Sequence, residues 1–342
     1  MSATGLAGLR DIPKAEIHLH LEGSVEPATL ARILEARGEA AGAARAAIHR
    51  LYEHPDFPGF LRNFRDLCSH LRRPEDFARI TGALADRLRD EGVRYAEVFC
   101  SPSIFAAAGL NAAEIMEAVS GAARERETAG GPRLRFLFDG VRQFGVASLE
   151  GLVEAAEGCR RFGVIGIGMG GDERALPAAA FAGVFREARR RGLRTTVHAG
   201  EFDGPRSVWE AMEVLEVERI GHGVRAAEDP ALVRALARRG LPLECCPTSN
   251  LRTGIVPSWE VHPLRRLHEA GVTVTVNSDD PALFGTTLVG EWETLVVRLG
   301  LEPAAVLEIG RRTVRSAFLP HADKEALVAE LDRGAAVAGF GR

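Results

Sequence analysis

Glu16-Ile17-His18-Leu19-His20 is the stretch that decides the fold. It reads as a short strand, and in a strand two residues spaced two apart leave the same face, so His18 and His20 point together into whatever the strand encloses. A doubly wound open sheet announces itself with a glycine-rich phosphate turn after its first strand. Here the first strand ends in two histidines instead. Seven further apolar runs follow at Arg94–Phe99, Leu134–Val141, Val164–Met169, Arg194–His198, Arg219–His222, Pro242–Cys246 and Thr273–Asp279, each succeeded by a stretch of helical character. Strand and helix in alternation mark a parallel α/β fold, and eight strands are what a closed barrel needs. The expectation is a (β/α)8, or TIM, barrel forming a single domain over residues 1–342. Helices are inserted after the first strand, about 26–91, and more follow at the C-terminus from Pro303.

The bulk properties narrow the function. With 342 residues, 46% hydrophobic and 26% charged, the chain has ample material for one large core. A net charge of −4 argues against a nucleic-acid-binding surface, and Arg189 to Arg191 read as a solvated helix face. Residues Met1 to Arg10 lack the apolar core of a secretory signal, and no run of eighteen apolar residues occurs, so no membrane partner and a cytoplasmic location are expected. Five cysteines, an odd number with no C-x-x-C spacing, indicate neither a disulfide framework nor a thiolate zinc site.

His18 and His20 can share one metal. His198 closes the fifth run in Val197-His198-Ala199-Gly200-Glu201, and Asp279 closes the eighth in Asn277-Ser278-Asp279-Asp280. Barrel enzymes assemble their sites from the carboxyl ends of different strands, so these four residues are expected to converge. Three imidazoles and a carboxylate suit Zn²⁺, and a bound metal lowers the pKa of a water toward neutrality. His222, ending the sixth run, reads as a further ligand or as a base beside the metal, the base being favoured. Glu201, three residues past His198, can turn a carboxyl toward a substrate rather than the metal. Taken singly the motifs have plainer readings. Gly170-Gly171 is also a tight turn, Asp279-Asp280 a helix cap and Glu201 an exposed first-turn acid. A barrel that only binds a ligand has no need of Glu201 and His222 beside a full set of metal-binding residues.

Pro13-Lys14-Ala15-Glu16-Ile17-His18-Leu19-His20-Leu21-Glu22-Gly23, His198-Ala199-Gly200-Glu201, Gly221-His222-Gly223 and Ser278-Asp279-Asp280-Pro281 resemble, in order, the four signatures of the adenosine deaminase family. The resemblance implies one Zn²⁺ per chain on His18, His20, His198 and Asp279. It implies Glu201 as the proton donor to the purine ring nitrogen beside the amino-bearing carbon, and His222 as the group that orients the attacking water. Asp280 and the backbone N–H of Gly171 are then purine contacts. Related two-metal hydrolases use a carboxylated lysine on the fourth strand; the only lysines here are Lys14 and Lys324, so a single metal is expected.

Substrate choice rests on finer marks. Glu22 stands where adenosine-specific members carry an Asp that meets the ribose, and its extra methylene shifts that contact by about 1.5 Å. The same pattern occurs in bacterial relatives acting on adenine or on 6-amino-6-deoxyfutalosine, an intermediate of a menaquinone route. The stretch Asp280 to Thr287 resembles the nucleoside-handling relatives. The expected substrate is therefore a 9-substituted adenine, aminodeoxyfutalosine before adenosine, with free adenine as the alternative. Phe57, Phe60, Leu61 and Phe64 form one apolar helical stripe in the insertion. Periodicity alone reads it as scaffold; with the resemblance it reads as a lid, making Phe60, Leu61 and Phe64 substrate contacts.

Overall fold

Eight parallel strands follow one another around a single sheet in sequence order: β1 (Lys14–His20), β2 (Val93–Cys100), β3 (Arg133–Val141), β4 (Val164–Gly170), β5 (Arg194–Ala199), β6 (Arg219–His222), β7 (Leu243–Cys245) and β8 (Val274–Val276). The computed structural model describes residues 6–39, 48–54 and 56–340. Helices connect successive strands and cover the outside of the ring, so the architecture is the expected (β/α)8 barrel with added helices.

The ring closes in an unusual way between β8 and β1. A single backbone bridge joins Leu19 to Asp279. There the His20 N–H donates to the Asp279 carbonyl (2.8 Å) and the Asp279 N–H to the His18 carbonyl (3.2 Å). Below the bridge, side chains take over the pairing. The Ile17 N–H donates to Asn277 Oδ1 (3.0 Å), and the Ser278 N–H donates to Glu16 Oε1 (2.8 Å). This is why β8 is shorter than the run Thr273–Asp279 suggested. Toward β1, Asn277 and Ser278 pair through the Asn277 and Glu16 side chains rather than backbone to backbone, and Asp279 adopts a left-handed φ of 64° that ends the extended backbone.

Inside the barrel the large side chains lie where the opposing strand is small. A Cβ on Gly168 of β4 would sit 2.6 Å from the Phe99 ring. With glycine there, Phe99 fills the space under the histidines, its centroid 4.7 Å from that of His18 and stacked at 4.9 Å on that of His20. At the opposite end of the barrel a fully buried Arg219 pairs with Glu97 (2.6 Å) and Glu244, and Tyr95 donates to Glu97 (3.0 Å). Arg219 also donates to the Ser316 carbonyl (3.0 Å) and lies 3.6 Å from the Phe318 ring. That contact pins the C-terminal helices Pro303–Ser316 and His321–Ala338 to the strands' feet. A buried arginine is tolerable only with its charge and donors met in this way.

The insertion after β1 contains α1 (Pro27–Glu35), α2 (Phe57–Cys68) and α3 (Pro74–Asp90). α2 starts where Asp56 accepts the Gly59 N–H (2.7 Å), with Pro58 in its first turn. Its Phe57 and Phe60 are buried, Leu61 and Phe64 half-buried, and Arg62 and Arg65 exposed. All five cysteines are buried and free. No helix among the described residues is long and apolar enough to cross a membrane.

Candidate active site

The carboxyl ends of β1, β5, β6 and β8 bring His18, His198, His222 and Asp279 together, each offering a ligand atom within 4.8 Å of the others. His20, Asp279 and Asp280 form a second group of the same kind, so Asp279 is common to both. Its Oδ1 lies 3.4 Å from the Nε2 of His18 and 3.4 Å from that of His20. His222 stands as near the cluster as the histidines expected to be ligands. His18 Nε2 is buried without a hydrogen-bond partner, which is costly unless something electron-poor takes its lone pair. Three imidazoles and a carboxylate are a donor set that suits a divalent metal such as zinc.

The electrostatics agree with a cation at this place. Burial lowers His18 and His20, but the carboxylates override it. Asp279 and Glu244 raise His18, while Asp280, Asp279 and Asp139 carry His20 up to about 10. A field that favours a proton on these nitrogens equally favours a metal ion. Burial, with its histidine neighbours, pushes His198 well below its ordinary value and so keeps it a neutral donor. Burial also works against ionisation of Asp279, yet His222, His18 and His20 hold it well below the usual carboxylate range.

Two backbone outliers fall on this cluster. His222 (φ 57°) and Asp279 (φ 64°) occupy the left-handed region that non-glycine residues avoid. Strain of this kind persists where surrounding structure over-determines it, commonly at functional sites. Burial takes His222 down to about 4, so its imidazole is neutral at pH 7. The Asn250 amide lies 3.1 Å from His222 Nδ1. Nε2 is 3.7 Å from Glu201 Oε1 and 3.8 Å from Asp279 Oδ2. Burial, followed by the charges of Asp279, Glu173 and Asp280, raises Glu201 well above the usual carboxylate range. Burial and its neighbour Asp279 do the same to Asp280.

A cavity of about 430 Å³ opens beside the cluster. His20, His198, His222, Asp279, Asp280 and Glu201 form part of its wall, and Gly171 lies on the wall as well. Phe57, Phe60, Leu61 and Phe64 of α2 supply an apolar side, with Arg62 and Arg65 at its edge. Glu22 does not reach this space. Its backbone enters a short turn, Glu22–Ser24, and its fully buried carboxylate accepts the Ser101 N–H at 2.9 Å, so that Ser101 lines the cavity and Glu22 backs it.

Several residues at this site escaped the sequence reading. Asp139 lines the cavity, and burial raises it to about 6. Glu244 accepts the His18 Nδ1–H at 2.7 Å. Both are lone acids inside apolar strand runs, a signal that could have marked them. Asn250 and Glu173 lie outside the strands and carry no comparable mark.

The sequence profile of the adenosine deaminase family matches residues 13–334. An aminodeoxyfutalosine deaminase from Streptomyces avermitilis is 35% identical, over 96% of this chain and 91% of its own length. An adenine deaminase from Rhizobium rhizogenes is 37% identical, over 94% of this chain and 99% of its own. The fold is shared with a crystal structure of an amidohydrolase from Burkholderia ambifaria with bound Zn, at a TM-score of 0.91 and 27% identity, covering 99% of this chain and 96% of that one. With the cluster in place on the rim of an eight-stranded barrel, these matches settle the family: the chain belongs to the adenosine deaminase family of metal-dependent amidohydrolases and is an aminohydrolase.

Proposed function

We propose that this chain hydrolyses the exocyclic C–N bond of an adenine ring, converting a 6-aminopurine and water to the 6-oxopurine and ammonia, with one zinc ion per chain held by His18, His20, His198 and Asp279. The observation that carries this reading is the juxtaposition of Glu201 and His222, 3.7 Å apart, at the edge of the histidine–aspartate cluster. When bound, zinc acidifies a water toward neutral pH and steadies the negative charge that develops as the ring carbon is attacked. His222 Nε2 holds the proton that this water gives up. Glu201 donates its own proton to the ring nitrogen beside the carbon under attack, which is the work of a general acid. Asp280, also protonated, donates to the imidazole side of the purine, and the Gly171 N–H to its pyrimidine side. The stripe on α2 keeps bulk water from the reacting face.

Among adenine compounds, the free base comes first. The Rhizobium rhizogenes adenine deaminase supports this by matching along 99% of its length at the higher identity. It is the reverse of the order read from Asp280 to Thr287. A 9-substituted adenine is the second reading, favoured by a cavity of about 430 Å³ whose outer wall carries Arg62, Arg65 and Gln143 beyond the purine-facing residues. The aminodeoxyfutalosine deaminase relative supports it too. Ammonia release from adenine, adenosine, 2′-deoxyadenosine and aminodeoxyfutalosine by the zinc-loaded protein tests both. The highest kcat/KM on adenine supports the first and on a substituted adenine the second; no ammonia from any of the four rejects the reaction.

A further inference from the structure

Glu173 lies in the loop after β4, only 1% exposed, and makes no contact with the histidine–aspartate cluster in the way a ligand does. Its carboxylate is instead where five donors converge. Oε2 accepts the N–H groups of Glu201 (3.0 Å), Phe202 (2.7 Å) and Asp203 (2.9 Å). Oε1 accepts the N–H of Gly200 (2.6 Å) and the Ser207 hydroxyl. Four consecutive backbone N–H groups facing one way form a concave nest, a geometry suited to an anion. The bend that aims them depends on Gly200, whose φ of 68° is left-handed and whose Cβ, if present, would sit 2.3 Å from Val208. Arg142 ties the same region from beneath, donating to the carbonyls of His198 (2.6 Å) and Glu173 (3.3 Å). The second residue of the nest is Glu201.

We infer that Glu173 is a positioning residue for proton donation: it occupies the nest at 200–203 with an internal carboxylate and thereby fixes the backbone from which Glu201 reaches the substrate. A strand-end loop with four inward N–H groups and no anion would leave buried donors unmet, and it would relax toward water. Glu173 removes that freedom from the neighbouring strand's loop without touching substrate or metal. A proton transfer demands placement within hydrogen-bond reach, so the loss of this anchor falls on the chemical step more than on binding.

The inference rests on Glu201 being the proton donor, and the test separates the two claims. Glu173→Gln keeps the shape but replaces one acceptor oxygen by a donor. Hydrogen exchange of the segment 199–204 is measured on zinc-loaded wild type and variant, together with zinc content, kcat and KM on the preferred adenine compound. Expected are exchange at least about tenfold faster in that segment alone, unchanged zinc, kcat lower by about 10–100-fold, and KM within about threefold. Unchanged exchange, or a folded variant with kcat within twofold of wild type, overturns the inference. So does a loss of activity accompanied by faster exchange throughout the barrel, which marks a merely structural role. Should Glu173→Gln not fold, Ser207→Ala removes one donor to the carboxylate and one acceptor for the Gly200 N–H. Faster exchange in 199–204 with a smaller loss of kcat then supports the inference, and no change in either overturns it. If wild type deaminates nothing, the proposed reaction fails while the exchange result still judges the anchor.

Discussion

Phe57 lies against Phe202 with ring centroids 3.7 Å apart, so the helix that walls the cavity rests on the residue next to Glu201. Phe60 continues the contact, stacking at 4.9 Å on Phe284, four residues past Asp280. The apolar stripe of α2 is thus seated on the loops that carry Glu201 and Asp280.

This seating gives Phe57 and Phe60 ring partners in addition to the cavity they help to line. Phe57 and Phe60 are buried, and truncating either to Ala is expected to cost about 3–5 kcal/mol at full burial. Leu61 is half-buried and lines the cavity. For Leu61→Ala the expected outcome is a KM raised several-fold with a melting temperature within a few degrees of wild type. A large loss of stability with KM unchanged would make the stripe scaffold throughout.

Glu201→Gln keeps the side chain's shape and removes the proton it donates. Zinc content and melting temperature should stay near wild type while kcat falls by about 10²–10⁴-fold. Turnover close to normal would take Glu201 out of the reaction.

The adjacent carboxyls Asp279 and Asp280 are shifted in opposite directions, Asp279 held below the usual carboxylate range among histidines and Asp280 raised above it by burial, and separate tasks are proposed for them. Metal analysis of Asp279→Asn should show zinc lost or much reduced, and Asp280→Asn should keep about one equivalent with a lower kcat/KM. Finding the metal lost from the Asp280 variant alone would reverse the assignment.

Glu244 accepts the His18 Nδ1–H, which leaves Nε2 available to the proposed zinc. Partners of this kind typically change metal affinity by 10–100-fold when removed. Competition with a chromophoric chelator should show zinc bound about that much more weakly by Glu244→Gln. Equal retention by variant and wild type would show that His18 needs no such support.

His262 lies away from the cluster, is buried, and has its Nδ1 accepting the Leu264 N–H at 3.2 Å. Burial lowers it from 6.5 to about 4. Unfolded chains bind this proton below about pH 6.5 and the folded chain only near pH 4, so the associated stability is complete above 6.5 and is lost as pH falls toward 4. The loss is on the order of 2–3 kcal/mol by pH 4.5. His262→Asn should show a smaller drop in urea-unfolding stability between pH 7 and pH 4.5 than wild type does. Identical drops would exclude His262 from the acid sensitivity.

The strands and the ends of strands were legible because burial writes apolar runs and function writes the polar residues that terminate them. Glu16 to His20 and Val197 to Glu201 show both signals together. What stayed hidden is what depends on the neighbouring loop. Glu173 reads as one more acid in a turn until four N–H groups from a different strand's end are seen around it. Glu22 reads as a substrate contact by its place after His20, but whether a side chain faces a cavity or the Ser101 backbone is decided by a local turn. The end of β8 differs for a related reason: beyond Val276 the pairing with β1 passes through the side chains of Asn277 and Glu16.

The seam between β8 and β1 coincides with the proposed metal site. Partners across that seam are 260 residues apart in sequence, as Ile17 and Asn277 are, and the one backbone bridge there runs through the carbonyls of His18 and Asp279. Contacts of such long range form late, because the intervening chain must first be ordered. The last two edges of the barrel meet at residues proposed to hold zinc, so an ion bound as proposed would join the two ends of the sheet.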